Sequence, residues 1–583
     1  MRYSSIPLAQ TVVQHLEANH IDRIVISPGS RSAPLTISFT ENPFFKCYSI
    51  VDERSAAFFA LGMAQQLQAP VALVCTSGSA VLNYYPAVAE AFYSHIPLVV
   101  ISADRPPYKI DVGDGQTIRQ DNVFHRHIGY SANLLMDLTH AMQRVRRYRP
   151  NWFVDGSVEA LQKKRQQTND QLLQQALETA IEQGLPVHIN APFEEPLYDF
   201  LTAPSIKANT NRQHRKEKTV VLGQDWAAQW QKAKKKMVLV GVNPPGSVQQ
   251  EQLEMLANDP SVVVFTETTS NLHHPHFFNA IDTMIAPMEL SSRKQESFKA
   301  LQPEILLTFG GLIVSKKIKA FLREHQPKAH WHVGGPTAND TFFCLKAHVH
   351  GTPNEFLKKL YGGHTNTTGN YQHDLALLKK KYRERRAAYL KQIPFSDFLA
   401  FHHILSAIPR DFMLQLANSS TVRYAQLYDL HPSIKVFCNR GTSGIDGSTS
   451  TAVGASQIAG HPTVLITGDL SFFYDNNGLW NNYLRNDFKI IVVNNGGGGI
   501  FRILPGMEET DNFATFFETK HELGASQLCK MFGLDYSKAE NEKELQQKLP
   551  VFFKKRRGPR LLEVVTPRIS NNKILTDYFH FIS

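Results

Sequence analysis

One recurring unit limits the fold more than any other feature. A short apolar, β-branched run ends in small or charged residues, and a stretch with helical spacing follows. Ile24-Val25-Ile26 runs into Pro28-Gly29-Ser30, and Ser49-Ile50-Val51 runs into Asp52-Glu53-Arg54 and a helix over 55–67. Residues 71–74 lead to Thr76-Ser77-Gly78 and a helix over 81–93, and residues 98–101 lead to Ala103-Asp104-Arg105. Short continuous apolar runs alternating with helices read as buried strands of a parallel sheet. Open sheets of this kind bind ligands at the carboxyl ends of their strands. The polar residues at those ends are therefore the first candidates for a site.

The unit recurs in three blocks. The first covers 1–195. A polar, basic stretch over 207–218 reads as a linker to a second block over 220–360, with strands at 237–242, 262–265, 305–309 and 329–333 and a helix over 249–257. The first turn of that block, Gly241-Val242-Asn243-Pro244-Pro245-Gly246, lacks Gly-x-Gly-x-x-Gly spacing. The central domain is therefore expected to hold no dinucleotide. A loop over 362–371 and a basic helix over 374–392 lead to the third block, 395–583, with strands at 412–416, 435–438, 464–467, 489–493 and 561–565. A chain of 583 residues is too long for one core. The expected class is α/β, with three domains, each a mainly parallel sheet flanked by helices.

Composition removes several alternatives. Hydrophobic residues at 42% and charged residues at 20% suit a globular chain rather than a disordered one. No apolar run approaches the ~18 residues of a membrane span, and Met1-Arg2-Tyr3-Ser4-Ser5 begins no signal-like apolar segment. The cysteines Cys47, Cys75, Cys344, Cys438 and Cys529 form no Cys-x-x-Cys, which argues against disulfides or thiolate zinc and for the cytoplasm. The net charge of +10 is spread over runs at 212–218, 379–386 and 554–557. They read as solvated faces, not a nucleic-acid patch. Overall basicity suits an acidic small-molecule substrate. His273, His274 and His276 lack the helical spacing of a metalloprotease motif and read as a loop. His125 and His127 read as structural.

The sharpest chemistry lies in the third block. Thr467-Gly468-Asp469-Leu470-Ser471 ends one strand and Val493-Asn494-Asn495-Gly496-Gly497 ends a later one, with Asp469 and Asn495 26 positions apart. One strand–helix–strand unit takes about 30 residues, so both turns emerge on the same sheet edge. A carboxylate, an amide oxygen and a turn carbonyl form a hard, oxygen-only donor set that suits Mg²⁺, with phosphate and water completing the shell. Gly496 to Gly499 permit close approach of a diphosphate.

These segments resemble the Gly-Asp…Asn-Asn motif of thiamine diphosphate (ThDP) enzymes, with Leu470 or Ser471 at the family's third position. The resemblance extends over nearly the whole chain. It implies pyrimidine-binding, central and diphosphate-binding domains in that order, and the cofactors ThDP and Mg²⁺, with Mn²⁺ able to substitute. Metal ligation falls to Asp469, Gly497 and Asn495, with Asn494 one position away as the alternative. Glu53 stands where the family's glutamate hydrogen-bonds N1′ of the aminopyrimidine, a role suited to a partly desolvated carboxyl with raised pKa. Ile445 matches the wedge that bends the cofactor. Gln116, Ser443, Leu470, Ser471 and Ile500 complete the implied cofactor contacts.

Five further segments narrow the resemblance: Ser27-Pro28-Gly29-Ser30-Arg31-Ser32, Asp52-Glu53-Arg54-Ser55, Ala103-Asp104-Arg105-Pro106-Pro107, Asn439-Arg440-Gly441-Thr442-Ser443-Gly444-Ile445-Asp446-Gly447 and Gly499-Ile500-Phe501. They are similar to a transferase branch of menaquinone biosynthesis that joins 2-oxoglutarate, after loss of CO₂, to isochorismate. Both substrates are dianions, and arginine binds carboxylates bidentately. The resemblance implies Ser30, Arg31, Arg105 and Gln116 on the isochorismate side and Ser419, Arg423 and Arg440 on the 2-oxoglutarate side, with Phe501 and Leu504 as apolar walls. It makes Glu53, Arg31, Arg105 and Gln116 the catalytic set. It also implies a homodimer or dimer of dimers with active sites between chains. The turn Gly113-Asp114-Gly115-Gln116 departs from the family pattern, because Gly115 has no side chain to offer.

Overall fold

The computed structural model describes residues 2–211, 226–362, 368–503, 510–554 and 558–583. Three wholly parallel sheets carry the fold, in agreement with the α/β class expected. The first runs in spatial order Lys46–Ser49, Arg23–Ile26, Val71–Cys75, Leu98–Asp104, Val187–Pro192, Tyr130–Asn133. The last runs Lys435–Cys438, Met413–Leu416, Thr463–Gly468, Lys489–Asn494, Arg560–Val565, Asp535–Ala539. Numbered along the chain, both have the order 2-1-3-4-6-5. In that order the connections after strands 1 and 2 leave in opposite directions, which opens a crevice at the ends of strands 1 and 3. The central sheet runs Val262–Thr266, Lys236–Val240, Ile305–Phe309, Ala329–Val333, Leu345–Val349.

Four strands of the three parallel sheets have no counterpart in the sequence reading, for two physical reasons, and neither has the short antiparallel pair Tyr3–Ser4 and Phe200–Leu201. Tyr130–Asn133, Leu345–Val349 and Asp535–Ala539 are edge strands. One side of an edge strand meets no neighbour, so it need not be apolar. Val187–Pro192 is fully buried but carries polar residues inside. His188 Nε2 lies 2.7 Å from Ser102 Oγ, which in turn donates to Asn190 Oδ1 at 2.9 Å. Burial pushes the His188 imidazole down to about 3, so it is neutral there. The helix expected over 81–93 is two helices, Ser79–Asn83 and Tyr85–Ser94, parted at Tyr84 ahead of Pro86. The strand expected at 49–51 instead spans Lys46–Ser49, so Ile50 and Val51 lie beyond its end.

The chain divides into two compact units. One holds Met1–Arg215 with Gly441–Gly460 and Asp475–Arg485. The other holds Lys216–Arg440, His461–Tyr474 and Asn486–Ser583. In the first unit the helix Glu53–Leu67 packs on the helix Ser448–Ser456 backbone to backbone. A Cβ on Gly62 would stand 2.0 Å from the Thr451 carbonyl oxygen, and one on Gly454 1.9 Å from that of Phe59. The loop ahead of Ser448 is tied down by the buried carboxylate of Glu90. It accepts from Gly441 N and Thr442 N, each at 2.6 Å, and from Thr442 Oγ1 and Ser94 Oγ, each at 2.8 Å.

In the second unit the central domain closes the open edge of the last sheet with a side chain. Asn271 donates to Val436 O at 2.9 Å and accepts from Val436 N at 2.8 Å, completing both polar groups of an edge strand. Gly241 serves a close chain crossing, because a Cβ there would stand 1.9 Å from Gly311 O. Among the described residues no helix is long and apolar enough to cross a membrane.

The helix contact predicts that Gly454→Ala lowers stability by about 1–3 kcal/mol, the range for forcing a methyl into a filled contact. Gly460→Ala, with nothing within 4 Å of its Cβ, leaves stability unchanged. Thermal unfolding of the two variants checks this, and equal midpoints would contradict it.

Candidate cofactor and substrate site

Because every strand in the three large sheets is parallel, each of them presents one edge of carboxyl ends. In the first unit that edge carries Ser30 and Arg31 after Arg23–Ile26, Glu53 after Lys46–Ser49, and Arg105 after Leu98–Asp104. Glu53 is the first residue of its helix, and Asp52 caps it, accepting from Ser55 N at 3.1 Å. Asp52 is itself fixed by Asn477 Nδ2 at 2.7 Å. Burial raises the Glu53 carboxyl above its ordinary value and the Asp52 charge adds to this, against the pull of the helix-start backbone. A carboxyl shifted in that direction is better suited to sharing a proton with a bound base than an ordinary glutamate.

Arg31 is almost fully enclosed, with its side chain 3% exposed. Its Nη1 donates to Phe193 O at 3.1 Å and its Nη2 to Glu195 Oε1 at 2.9 Å. Burial, and next the charge of Arg105, lower its pKa. Arg105 Nη2 donates to Gly115 O at 3.2 Å, so the glycine of the departing turn supplies its carbonyl there. Gln116 is exposed and left-handed at φ 55°, and its backbone packs on Gly78. Gly78 N donates to the buried Gln120 Oε1 at 2.9 Å, which fixes that turn. Ser443, at φ 60°, and Ile445 sit in the loop that Glu90 holds.

In the second unit Asp469 is buried and ties two strand ends together. Its Oδ1 accepts from Leu470 N at 2.7 Å; its Oδ2 accepts from Gly496 N at 2.9 Å and Gly497 N at 3.0 Å. His521 Nε2 lies 3.3 Å from Oδ2, and hydrogen bonding to Asp469 raises its pKa. The choice between the two asparagines turns on their partners. Asn494 Nδ2 donates to Glu563 Oε1 at 2.7 Å and Leu523 O at 2.9 Å, and its Oδ1 accepts from Gly496 N at 3.1 Å. Asn495 Nδ2 donates to Asp397 Oδ2 at 3.0 Å, and Asp397 is close enough to Asp469 to feel its charge. Both amide atoms of Asn494 are thus engaged, and the Asn495 nitrogen is engaged with Asp397.

Gly497 has φ 150°, and a Cβ there would press within 2.8 Å of Glu518 O. Ser471 is buried in the short helix Asp469–Tyr474, beside Leu470. Ile500 and Phe501 lie in the 3₁₀ turn Gly499–Ile503. Leu504 lies outside the described residues. Among the described residues no three His, Cys, Asp or Glu side chains gather as a metal site. A site built from Asp469, Asn495 and the Gly497 carbonyl would draw one such side chain.

Ser419, at φ 67°, opens the turn after Met413–Leu416, and its carbonyl accepts from Arg423 Nη1 at 2.8 Å. Arg440 Nη1 donates to Asn418 Oδ1 at 2.6 Å. Burial and the neighbouring Arg440 lower the Arg423 pKa. The sequence reading missed two acids that the central domain brings to these arginines. Glu267, 2% exposed, accepts from Val314 N at 2.8 Å and Ser315 N at 2.7 Å. Burial pushes it up to about 7, against those two bonds and the charge of Arg440. Asp282 accepts from Ser315 Oγ and feels the charge of Arg423.

The two matching sheets and their site residues define a thiamine pyrophosphate enzyme. The N-terminal TPP-binding domain of that class matches residues 6–127, and the C-terminal TPP-binding domain matches 418–564. The chain is 51% identical over 589 residues to a 2-succinyl-5-enolpyruvyl-6-hydroxy-3-cyclohexene-1-carboxylate synthase of Christiangramia forsetii, covering 100% of both. It is 51% identical over 582 residues to the synthase of the same name from Flavobacterium johnsoniae, covering 99% of each. To that of Porphyromonas gingivalis it is 37% identical, over 100% of this chain and 98% of the other. The chain belongs to the family of these synthases.

The Glu267 geometry makes a pH prediction. Its folded pKa of about 7 exceeds the ordinary 4.5, so its contribution to stability is present below about 4.5 and lost as pH rises to 7. Glu267→Gln removes that titration. The stability of the variant relative to the parent should therefore rise by about 3 kcal/mol between pH 4.5 and pH 8. Denaturant unfolding at both pH values measures it, and a pH-independent difference would contradict the assignment.

Proposed function

We propose that the chain removes CO₂ from 2-oxoglutarate and adds the succinyl unit 1,4 to isochorismate. The product is 2-succinyl-5-enolpyruvyl-6-hydroxy-3-cyclohexene-1-carboxylate, an intermediate of menaquinone biosynthesis. The observation that carries this reading is the pairing of arginines. Arg31 with Arg105 and Arg423 with Arg440 each hold two guanidiniums close enough to repel. Each substrate is a dianion, and a pair of arginines answers two carboxylates. A monocarboxylate decarboxylase needs neither pair.

The donor set fits ThDP with Mg²⁺, and Mn²⁺ shares the preference for oxygen. The Asp469 carboxylate draws Gly496 and Gly497 to itself, and Gly497 stands where a Cβ has no room. Asp469, Asn495 and the Gly497 carbonyl would hold the metal, and Ser443, Ile445, Leu470, Ser471 and Ile500 would hold the cofactor. Bound ThDP would supply the carbon nucleophile and the electron sink for loss of CO₂. Glu53 would share a proton with N1′ of the pyrimidine, a role its raised pKa supports. Ser419, Arg423 and Arg440 bind 2-oxoglutarate; Ser30, Arg31, Arg105 and Gln116 bind and orient isochorismate, and Phe501 keeps water from the reacting carbons. The working form is a cytoplasmic homodimer or dimer of dimers with active sites between chains, each chain divided at 1–195, 220–360 and 395–583.

Glu53→Gln should lower turnover at least about 100-fold, the size of a lost proton-sharing group, with an unchanged unfolding midpoint. Near-normal turnover would reject the role. Asp469→Ala should weaken ThDP binding most at low Mg²⁺. A fluorescence titration identical to the parent's would reject Asp469 as a ligand.

A further inference from the structure

Arg31 and Arg105 already share a carboxylate, and it belongs to the chain itself. Glu195 Oε1 lies 2.9 Å from Arg31 Nη2 and 3.8 Å from Arg105 Nη1. The Nε atoms of both arginines are buried without a hydrogen-bond partner among the described residues, and Glu195 is the foremost carboxylate acting on Arg31, ahead of Glu194. Arg31 is rigidly enclosed at 3% exposure, whereas the Glu195 side chain is 47% exposed and has solvent to move into.

A second cation stands ready for it. Arg144 Nη1 lies 3.6 Å from Glu195 Oε2, on the helix Met142–Tyr148. That guanidinium is held independently by Glu194 Oε1 at 3.0 Å. Glu194 cannot follow, because it is 1% exposed and also accepts from Tyr108, from Lys109 Nζ at 2.9 Å and from Glu195 N at 2.9 Å. Burial works to raise the Glu194 carboxyl, but these donors together hold it below its ordinary value, so it stays charged.

We infer that Glu195 is a displaceable carboxylate occupying the acceptor's seat on Arg31 and Arg105, and that it moves onto Arg144 when an incoming dicarboxylate takes that seat. The inference rests on the reading of Arg31 and Arg105 as the isochorismate side. It adds a specificity device to that reading. An anion with one carboxylate gains too little to expel Glu195, whereas a dianion gains two charge-assisted contacts. The exchange leaves no buried guanidinium unpaired, the condition that otherwise costs most. Glu195 acts on the acceptor through the arginines and is therefore a positioning residue.

The test is isochorismate binding to the ThDP–Mg²⁺ protein by calorimetry, without 2-oxoglutarate, together with steady-state saturation curves for both substrates. Glu195→Gln should bind isochorismate about tenfold tighter and lower the isochorismate KM by a similar factor, while saturation by 2-oxoglutarate is unchanged. Arg144→Met removes the second seat, and isochorismate should bind several-fold more weakly. Equal or weaker binding by Glu195→Gln, beside measurable binding by the parent, would overturn the displacement and leave the acceptor site standing. So would unchanged binding by Arg144→Met. If ThDP binds but neither parent nor variants bind isochorismate, the acceptor reading falls and the inference falls with it.

Discussion

The repulsion between guanidiniums, one of each pair buried and the other half-buried, is the constraint around which the site is built. Taking one arginine out of water is costly, and placing a second beside it costs more, unless anions stand close. Arg31 and Arg105 meet Glu195, and Arg423 and Arg440 feel Asp282 and Glu267. Those acids come from elsewhere in the fold, a strand end in the first unit and the central domain in the second. The central domain thus does more than connect. Through Asn271 it closes the edge of the last sheet, and it sets Glu267 and Asp282 where they feel the charges of Arg440 and Arg423.

Two sheets with one strand order explain where the chemistry collects. Parallel strands bring every carboxyl end to a single edge, so residues far apart in sequence become neighbours without long loops. Asp469 and Gly497 meet because their strands, Thr463–Gly468 and Lys489–Asn494, are adjacent. The same logic sets Glu53 on the first sheet, where the helix it opens is pinned by glycine contacts with Ser448–Ser456. The backbone contact below fixes where the partly desolvated Glu53 carboxyl stands at the helix tip.

Much of this was legible in the sequence, for a reason that also marks its limit. Strands buried on both faces are mostly apolar, so Arg23–Ile26, Thr463–Gly468 and Lys489–Asn494 announce themselves. The residues that end them, Arg31, Asp469 and Asn495, could then be named. Edge strands such as Tyr130–Asn133 have no such requirement. Val187–Pro192 hid behind His188 and Asn190, whose partners come from another strand. With that strand unseen, Glu194 and Glu195 at its end went unnoticed. Glu267 was illegible for a deeper reason: a lone glutamate after an apolar run looks solvated until tertiary structure buries it. The departure at Gly115 was visible, but its compensation, a backbone carbonyl offered to Arg105, required coordinates.

The measurement that tests the account most directly is a substrate-dependence assay on the purified protein. Isochorismate absorbance is followed while ThDP, Mg²⁺ and 2-oxoglutarate are each withheld in turn. The account predicts loss of absorbance when all are present and none when any is missing. Steady release of CO₂ from 2-oxoglutarate with isochorismate left intact would contradict it, because the Arg31–Arg105 pair would then serve some other anion.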